Sequence, residues 1–434
     1  MSKCGSAGGL AAGGSKSAQR RQQDCRHYRW LAALVLLACG AAAPAQETSG
    51  PSVCEQVPAI ARTLTEITGF PLKHPVPCAF ISKDQVNRFL KKRVHEVASP
   101  EEIRAEELTL KKFGLVPPDF DLAKSTVDLL TEQAAAFYDF DRKKLFITDT
   151  TSGESQEPVL AHELSHALAD QSFNLAKYTR QGRNSDDGAT ARLAVMEGQA
   201  TWLMTEYMAR RNGQTLLHHP EMAASMAALS DSGGSQFPVF DNSPLYLRQS
   251  LVFPYTKGMM FQDALLEHDG RQAFAEPFRR PPVSTQQILD PAKYLAAAKP
   301  TEPSLPDPHL PHGYKGLVAG VMGELEHRIL LQQYAGADEE RAIAPHWRGS
   351  SFELRENKKA GRVVLLYASE WDSEEIARRY FAAYGRVLRK KWKQMAVTAE
   401  TENSLSGTGD DGRFVVERKG SIVTSMEGLP PELN

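Results

Sequence analysis

The sequence predicts an α+β protein in which helices predominate, with a smaller α+β unit at its C-terminal end. Three observations carry that prediction. Apolar residues recur at helical spacing through much of residues 84–268. Strand-like apolar runs, "RVVLLYA" and "RFVVERKGSIVTSM", fall in the last part of the chain. A proline-heavy stretch, "KPTEPSLPDPHLPHG", separates the two regions. The 434 residues are 41% hydrophobic and 24% charged, the composition of a folded chain with room for two domains. A formal net charge of −2 gives no electrostatic footprint for nucleic acid.

Residues 1–45 read as a targeting segment. Lys16, Arg20, Arg21, Arg26 and Arg29 precede "WLAALVLLACGAAAPA", a run too short to span a bilayer comfortably that ends in small residues, as a secretory signal does. Two cleavage readings stay open. Ala43-Pro44-Ala45 fits cleavage before Gln46, whereas Leu36-Leu37-Ala38-Cys39 fits a lipobox, with Cys39 as a lipid anchor and the chain's contact with a membrane. Both predict export to a periplasmic, cell-envelope or secreted location. Cys54 and Cys78 are then the cysteines left beyond this segment. An even pair in an oxidising compartment predicts a disulfide, against the competing reading of two buried thiols.

The elements follow in order. Residues 84–97 alternate apolar and basic positions at helical spacing. Ser99-Pro100-Glu101-Glu102 reads as an N-cap, a first-turn proline and a capping box for a helix ending at Gly114. A third helix is expected over 122–134. Phe137, Tyr138 and Phe140, then a charged turn at 141–144, then Leu145-Phe146-Ile147, read as a hairpin. Pro158 fits the first turn of the next helix, and "ATARLAVMEGQATWLMTEYMARR" gives another that ends near Gly213. Residues 218–244 read as loop, and helical spacing returns over 257–268. The tail adds a helix over 373–390. The basic runs at Lys91-Lys92-Arg93 and in "RKKWK" read as solvated faces.

The chemistry lies in "PVLAHELSHALADQ", residues 158–171, which contains His162-Glu163-Leu164-Ser165-His166. On a helix, residues four apart share a face, so both imidazoles can converge on one ion. Glu163, one position on, flanks such an ion without binding it and is placed as a general base. Leu160, Leu164, Ala167 and Leu168 supply an apolar face. With 12 histidines in the chain, a chance H-E-x-x-H is expected roughly 0.02 times. A catalytic zinc takes three protein ligands and keeps one position open. A third ligand at histidine 172 with glycine at 169 is excluded, because those positions are Ser172 and Ala169. Glu197, an acidic residue in the apolar stretch "LAVMEGQAT", is the best candidate, with Glu206 and His219 as weaker ones.

"HELSHALADQSFNLAKY" followed by "EGQAT" resembles the gluzincin group of zinc metallopeptidases. It is closest to a branch of little-characterised exported bacterial proteins. Glu132-Gln133 before Phe137-Tyr138-Asp139, Pro254-Tyr255 before Gly258, and Pro281-Pro282-Val283-Ser284-Thr285 extend the resemblance over most of residues 85–295. It implies a zincin-like catalytic domain with an active-site helix and an edge strand, Zn²⁺ on His162, His166 and Glu197, and Glu163 as base. It gives Tyr138 to Ile147 a role as an edge on which a peptide adds as a further strand, against the plainer reading of a hairpin that covers the core. Three positions depart from the pattern. Gln286 and Asp290 stand where that branch has glutamate and histidine. Thr201 stands where many gluzincins have an aspartate that orients a ligand, which leaves Asp170, one turn past His166, as the candidate for that support. Tyr255, Tyr207 and His219 are candidate donors to an oxyanion, Tyr255 foremost.

The expected layout is a helical region over 46–130 with the Cys54–Cys78 pair, a zincin-like domain over 131–297, a connector over 298–315 and an α+β domain over 316–434. The expected function is an exported zinc-dependent metallopeptidase acting on a peptide or protein substrate. The alternative is a cell-envelope binding or assembly factor whose zinc is structural or regulatory.

Overall fold

A computed structural model describes residues 53–149, 153–182, 185–231 and 237–432. The expected targeting segment, with Cys39 and both cleavage readings, lies outside the described residues. No helix among the described residues is long and apolar enough to cross a membrane.

Helix α1 (Val57–Thr68) buries Ile60, Ala61 and Leu64 and stops at Gly69, whose φ of 79° only glycine adopts without strain. The Cys54–Cys78 disulfide ties its start to strand β1 (Cys78–Ile81). Helices α2 (Lys83–Val97) and α3 (Pro100–Phe113) each open with a capping box, on Ser82 and Ser99, and α3 ends at Gly114. Helix α4 (Leu122–Gln133) is capped by Asp121. The expected hairpin forms from β2 (Ala136–Asp139) and β3 (Lys144–Thr148). It is part of a three-stranded sheet in the order β1-β3-β2, with β1 parallel to β3.

Helix α5 (Gly153–Phe173) carries the H-E-x-x-H motif. Its start lies further back than Pro158 suggests, so this proline sits inside the helix, past the first turn. After the short α6 (Leu175–Gln181), α7 (Asp186–Arg211) crosses α5. Part of the expected loop over 218–244 is helix α8 (Pro220–Asp231). The next helix, α9 (Leu245–Asp269), begins twelve residues before the expected 257 and runs straight through Pro254. Helices α7 and α9 meet backbone to backbone. A Cβ on Gly198 would overlap the Gly258 backbone, and one on Gly258 would lie 2.9 Å from Gly198 Cα. The short helix α10 (Thr285–Leu289) follows.

Strand β4 (Lys315–Gly320), α11 (Glu324–Tyr334), α12 (Ala337–Ile343), β5 (Trp347–Asn357) and β6 (Arg362–Trp371) open the C-terminal part. Helix α13 (Glu374–Lys391) and strands β7 (Met395–Glu400), β8 (Ser404–Gly409), β9 (Gly412–Lys419) and β10 (Ile422–Leu429) complete it. The seven strands form one antiparallel sheet in the order β4-β5-β6-β10-β9-β8-β7. The protein is therefore α+β with helices in the majority, as its composition and periodicity predict.

The two parts share a seam. Phe113 of α3 sits edge-on to Phe352 at 5.5 Å and Tyr367 at 5.3 Å. Arg104 pairs with Glu356, and Lys112 lies 3.2 Å from Asp411. The "RKKWK" run is not wholly solvated: Lys391 is 3% exposed, 2.5 Å from the buried Glu427, and donates to the Lys112 carbonyl. Gln286 and Asp290 belong to this region too. The Gln286 amide donates to the Trp347 carbonyl, and Asp290 caps the short helical turn that follows it.

Candidate metal centre

Helix α5 presents His162 and His166 one turn apart, and α7 brings Glu197 opposite them. The two Nε2 atoms are 3.2 Å apart, and Glu197 Oε2 lies 3.1 Å from His162 Nε2 and 3.5 Å from His166 Nε2. All three side chains are buried, with Glu197 wholly excluded from solvent. These are the only three His, Cys, Asp or Glu side chains among the described residues grouped tightly enough to hold an ion. A tetrahedral ion bound at about 2.0–2.1 Å sets its ligand atoms roughly 3.3 Å apart, which is the spacing found. The second Glu197 oxygen, Oε1, is buried with no hydrogen-bond partner. An orphaned carboxylate oxygen beside two facing imidazole nitrogens is a donor set in need of a cation. The three side chains are placed so that they could hold a metal ion.

Burial pushes the His162 imidazole below its ordinary value, although Glu197 pulls the other way. For His166 burial also acts downward, but it is outweighed by the Glu197 carboxylate, with Glu163 and Asp170 adding to it, and the net shift is upward. Burial would raise Glu197, yet His166 and His162 hold it below the usual carboxylate range. Each shift has the same origin: one carboxylate facing two imidazoles away from water.

Glu163 is fully buried and its Oε2 accepts the Tyr138 backbone N–H at 2.7 Å. The Tyr255 ring from α9 lies 6.0 Å from the His162 ring at an interplanar angle of 26°, stacked against a ligand. Asp170 is buried one turn past His166, but its hydrogen bonds run to Tyr138 Oη (3.0 Å), Lys143 Nζ (2.6 Å) and the Leu175 backbone N–H (2.9 Å). Its effect on His166 is through charge. Asp170 thus ties α5 to the hairpin and to the start of α6.

The weaker candidates are engaged elsewhere. Glu206 accepts from Arg210, Thr215 and the Leu216 N–H, closing the turn after α7. His219 is exposed and faces Glu221 at 3.1 Å, and Tyr207 donates to Glu157 at 2.6 Å. Thr201 turns back on its own helix, donating to the Glu197 carbonyl at 2.7 Å.

Strand β2 is an edge strand by pairing order, yet all four of its residues are buried and the outward Tyr138 N–H is taken by Glu163. In this structure the hairpin therefore covers the core, and its edge is closed to an added strand. The Lys143–Asp170 pair that helps to close it escapes sequence reasoning. Lys143 lies in a charged turn, and only its positive φ of 55° aims it back at α5.

Comparison with known proteins adds one finding. Residues 314–433, the segment from β4 to the end of the sheet, match the family described as a domain of unknown function (DUF8575). No curated protein matches the chain, and no solved structure matches it. The candidate metal centre lies outside the matched segment, so its chemistry rests on its own geometry.

Proposed function

We propose that this protein is an exported, zinc-dependent metallopeptidase with a zincin-like catalytic half, acting on a peptide or protein substrate. The observation that carries the reading is the buried His162–His166–Glu197 triangle with Glu163 beside it. Zinc held there supplies Lewis-acid polarisation and makes an attacking water more acidic. His162, His166 and Glu197 would hold it. The Glu163 carboxylate would take the proton of that water and pass it to the leaving amine. The Tyr138 N–H holds one oxygen of the Glu163 carboxylate and so orients the group. Tyr255, stacked on His162, is the nearest candidate to donate a hydrogen bond to the carbonyl oxygen as charge develops.

One observation favours a second reading. The ligands and Glu163 are all buried and the β2 edge is covered, as in a site whose metal serves structure in a binding or assembly factor. Zinc content and hydrolysis of a casein-type substrate by wild type, His162→Ala, Glu197→Ala and Glu163→Gln separate the two. The peptidase reading expects about one zinc per chain in wild type and in Glu163→Gln. It expects metal loss in both alanine variants, and turnover only in wild type. Equal turnover by wild type and Glu163→Gln, or none by zinc-loaded wild type, sinks it in favour of the second reading.

A further inference from the structure

A groove of about 430 Å³ opens between α9 and α11, at the seam of the two parts of the molecule. Sites for small ligands run to roughly 300–1,000 Å³ and favour such seams. Its cations set it apart. Arg248 Nε is buried and has no hydrogen-bond partner, and neither Arg248 nor Lys257 has an ion-pair partner among the described residues. Arg328, the third cation of the lining, is already neutralised by Glu324 at 2.9 Å and Glu340 at 2.5 Å. Phe240, Leu245, Val252 and Leu325 form the apolar wall, interrupted by Gln249 and Gln332, the first of which donates to the second.

We propose that this groove binds the carboxyl end of a peptide whose last residue is apolar. A buried guanidinium N–H with no acceptor, such as Arg248 Nε, is unfavourable until an acceptor joins it. The planar guanidinium fork matches a carboxylate with two parallel hydrogen bonds, and Lys257 adds a second positive charge at the rim. A bare inorganic anion leaves the apolar wall unused, and a fatty acyl chain offers nothing to the amide groups of the Gln249–Gln332 pair. A peptide end uses all three: a carboxylate for Arg248, an apolar side chain for the wall and amide groups for the glutamines. The groove contains none of the metal ligands, and its occupancy is read without turnover. The inference therefore stands or falls apart from the peptidase reading.

Calorimetric titration of the purified protein with N-acetyl-L-phenylalanine, its C-terminal amide, octanoate and inorganic phosphate tests this. One saturable site for the free acid is expected, with the amide weaker by about 10- to 100-fold, the worth of a charge-assisted hydrogen bond. Arg248→Met should show the same loss. Lys257→Met changes an exposed residue, should keep the wild-type circular dichroism, and should bind roughly fivefold more weakly. Equal binding of acid and amide, wild-type affinity in both variants, or no saturable binding of the acid overturns the proposal. Octanoate or phosphate binding as tightly as the acid overturns the assignment to a peptide end.

Discussion

Glu163 and Asp170 sit on one helix and both reach the same residue of the neighbouring strand. The Tyr138 N–H donates to Glu163, and the Tyr138 hydroxyl donates to Asp170. Burial, with the Asp170 charge beside it, raises the Tyr138 hydroxyl far above its ordinary range, so it stays a donor. Asp170→Ala would strand that hydroxyl and the Leu175 N–H and leave Lys143 without its partner. A loss of about 2–4 kcal/mol is expected, with Asp170→Asn milder because an amide oxygen can still accept. Urea titration checks this; an unmoved midpoint in Asp170→Ala would show the three bonds to be idle. Glu163→Gln keeps an acceptor for Tyr138 and should unfold at the wild-type midpoint, so any loss of turnover in it is chemical. At this scale the sequence was most legible. His162, His166 and Glu197 stand out because each is a polar residue that its apolar helix can bury only around something. Asp170's partners Tyr138 and Lys143 were not legible, because they lie on a hairpin whose distance from α5 no local pattern records.

Among the elements, the crossing of α7 and α9 positions the site. Gly198 follows the candidate ligand Glu197 directly, and Gly258 lies one turn past Tyr255. The two glycines allow the backbones to touch, which brings a ligand from one helix and an aromatic ring from the other onto the same pair of histidines. Gly258→Ala places a methyl group against the Ala194 carbonyl and Gly198, backbone atoms that cannot turn aside. It should destabilise by roughly 2–3 kcal/mol and lower metal occupancy although no candidate ligand is changed. Elemental analysis beside urea unfolding reads both; full occupancy at wild-type stability would mean that the crossing sets nothing. Helices with a clear stripe and cap, such as α3 on Ser99, were readable in advance. Strand β1 was not, since its pairing to β3 is parallel and bridges more than sixty residues that include the three helices α2, α3 and α4. Helix α9 was expected only over 257–268, because the stretch before it reads as loop-rich; in the structure it begins at Leu245 and continues through Pro254, packed against α7.

The whole molecule has a pH-sensitive seam. Asp186 and Asp187 begin α7, Glu324 and Glu326 begin α11, and Glu106 reaches in from α3, with Arg328 and Lys293 as the nearby cations. Burial pushes Glu324 up to about 7, partly opposed by Arg328. Burial and the Asp187 charge push Glu326 up to about 8. A carboxyl group with a raised folded value holds more protons folded than unfolded, so its contribution is full below the ordinary 4.5 and is lost as pH rises through 7 to 8. Burial lowers His327 to about 4, which acts in the opposite sense: its contribution is present above 6.5 and is lost as pH falls toward 4. Stability should therefore decline from about pH 6.5 to pH 8.5. Glu326→Gln should flatten that decline and raise stability at the alkaline end. Thermal melts across the range decide it, and parallel curves for the two proteins would place the titration elsewhere. The seven-stranded order of the sheet was beyond sequence reading, since two apolar runs do not reveal which strands neighbour one another.

The seam also governs when the molecule can be completed. The apolar and charged face of α3 is matched by residues more than 250 positions later, Glu356 and Lys391 among them. On the ribosome that face emerges early and stays bare until the last strands have been made, so it is a natural handhold for a chaperone. A premature stop anywhere in the final sheet would then do more than remove a domain. It would leave the amino-terminal helices with a sticky, unanswered surface, and the truncated product would be removed by quality control rather than persist as a free-standing amino-terminal half.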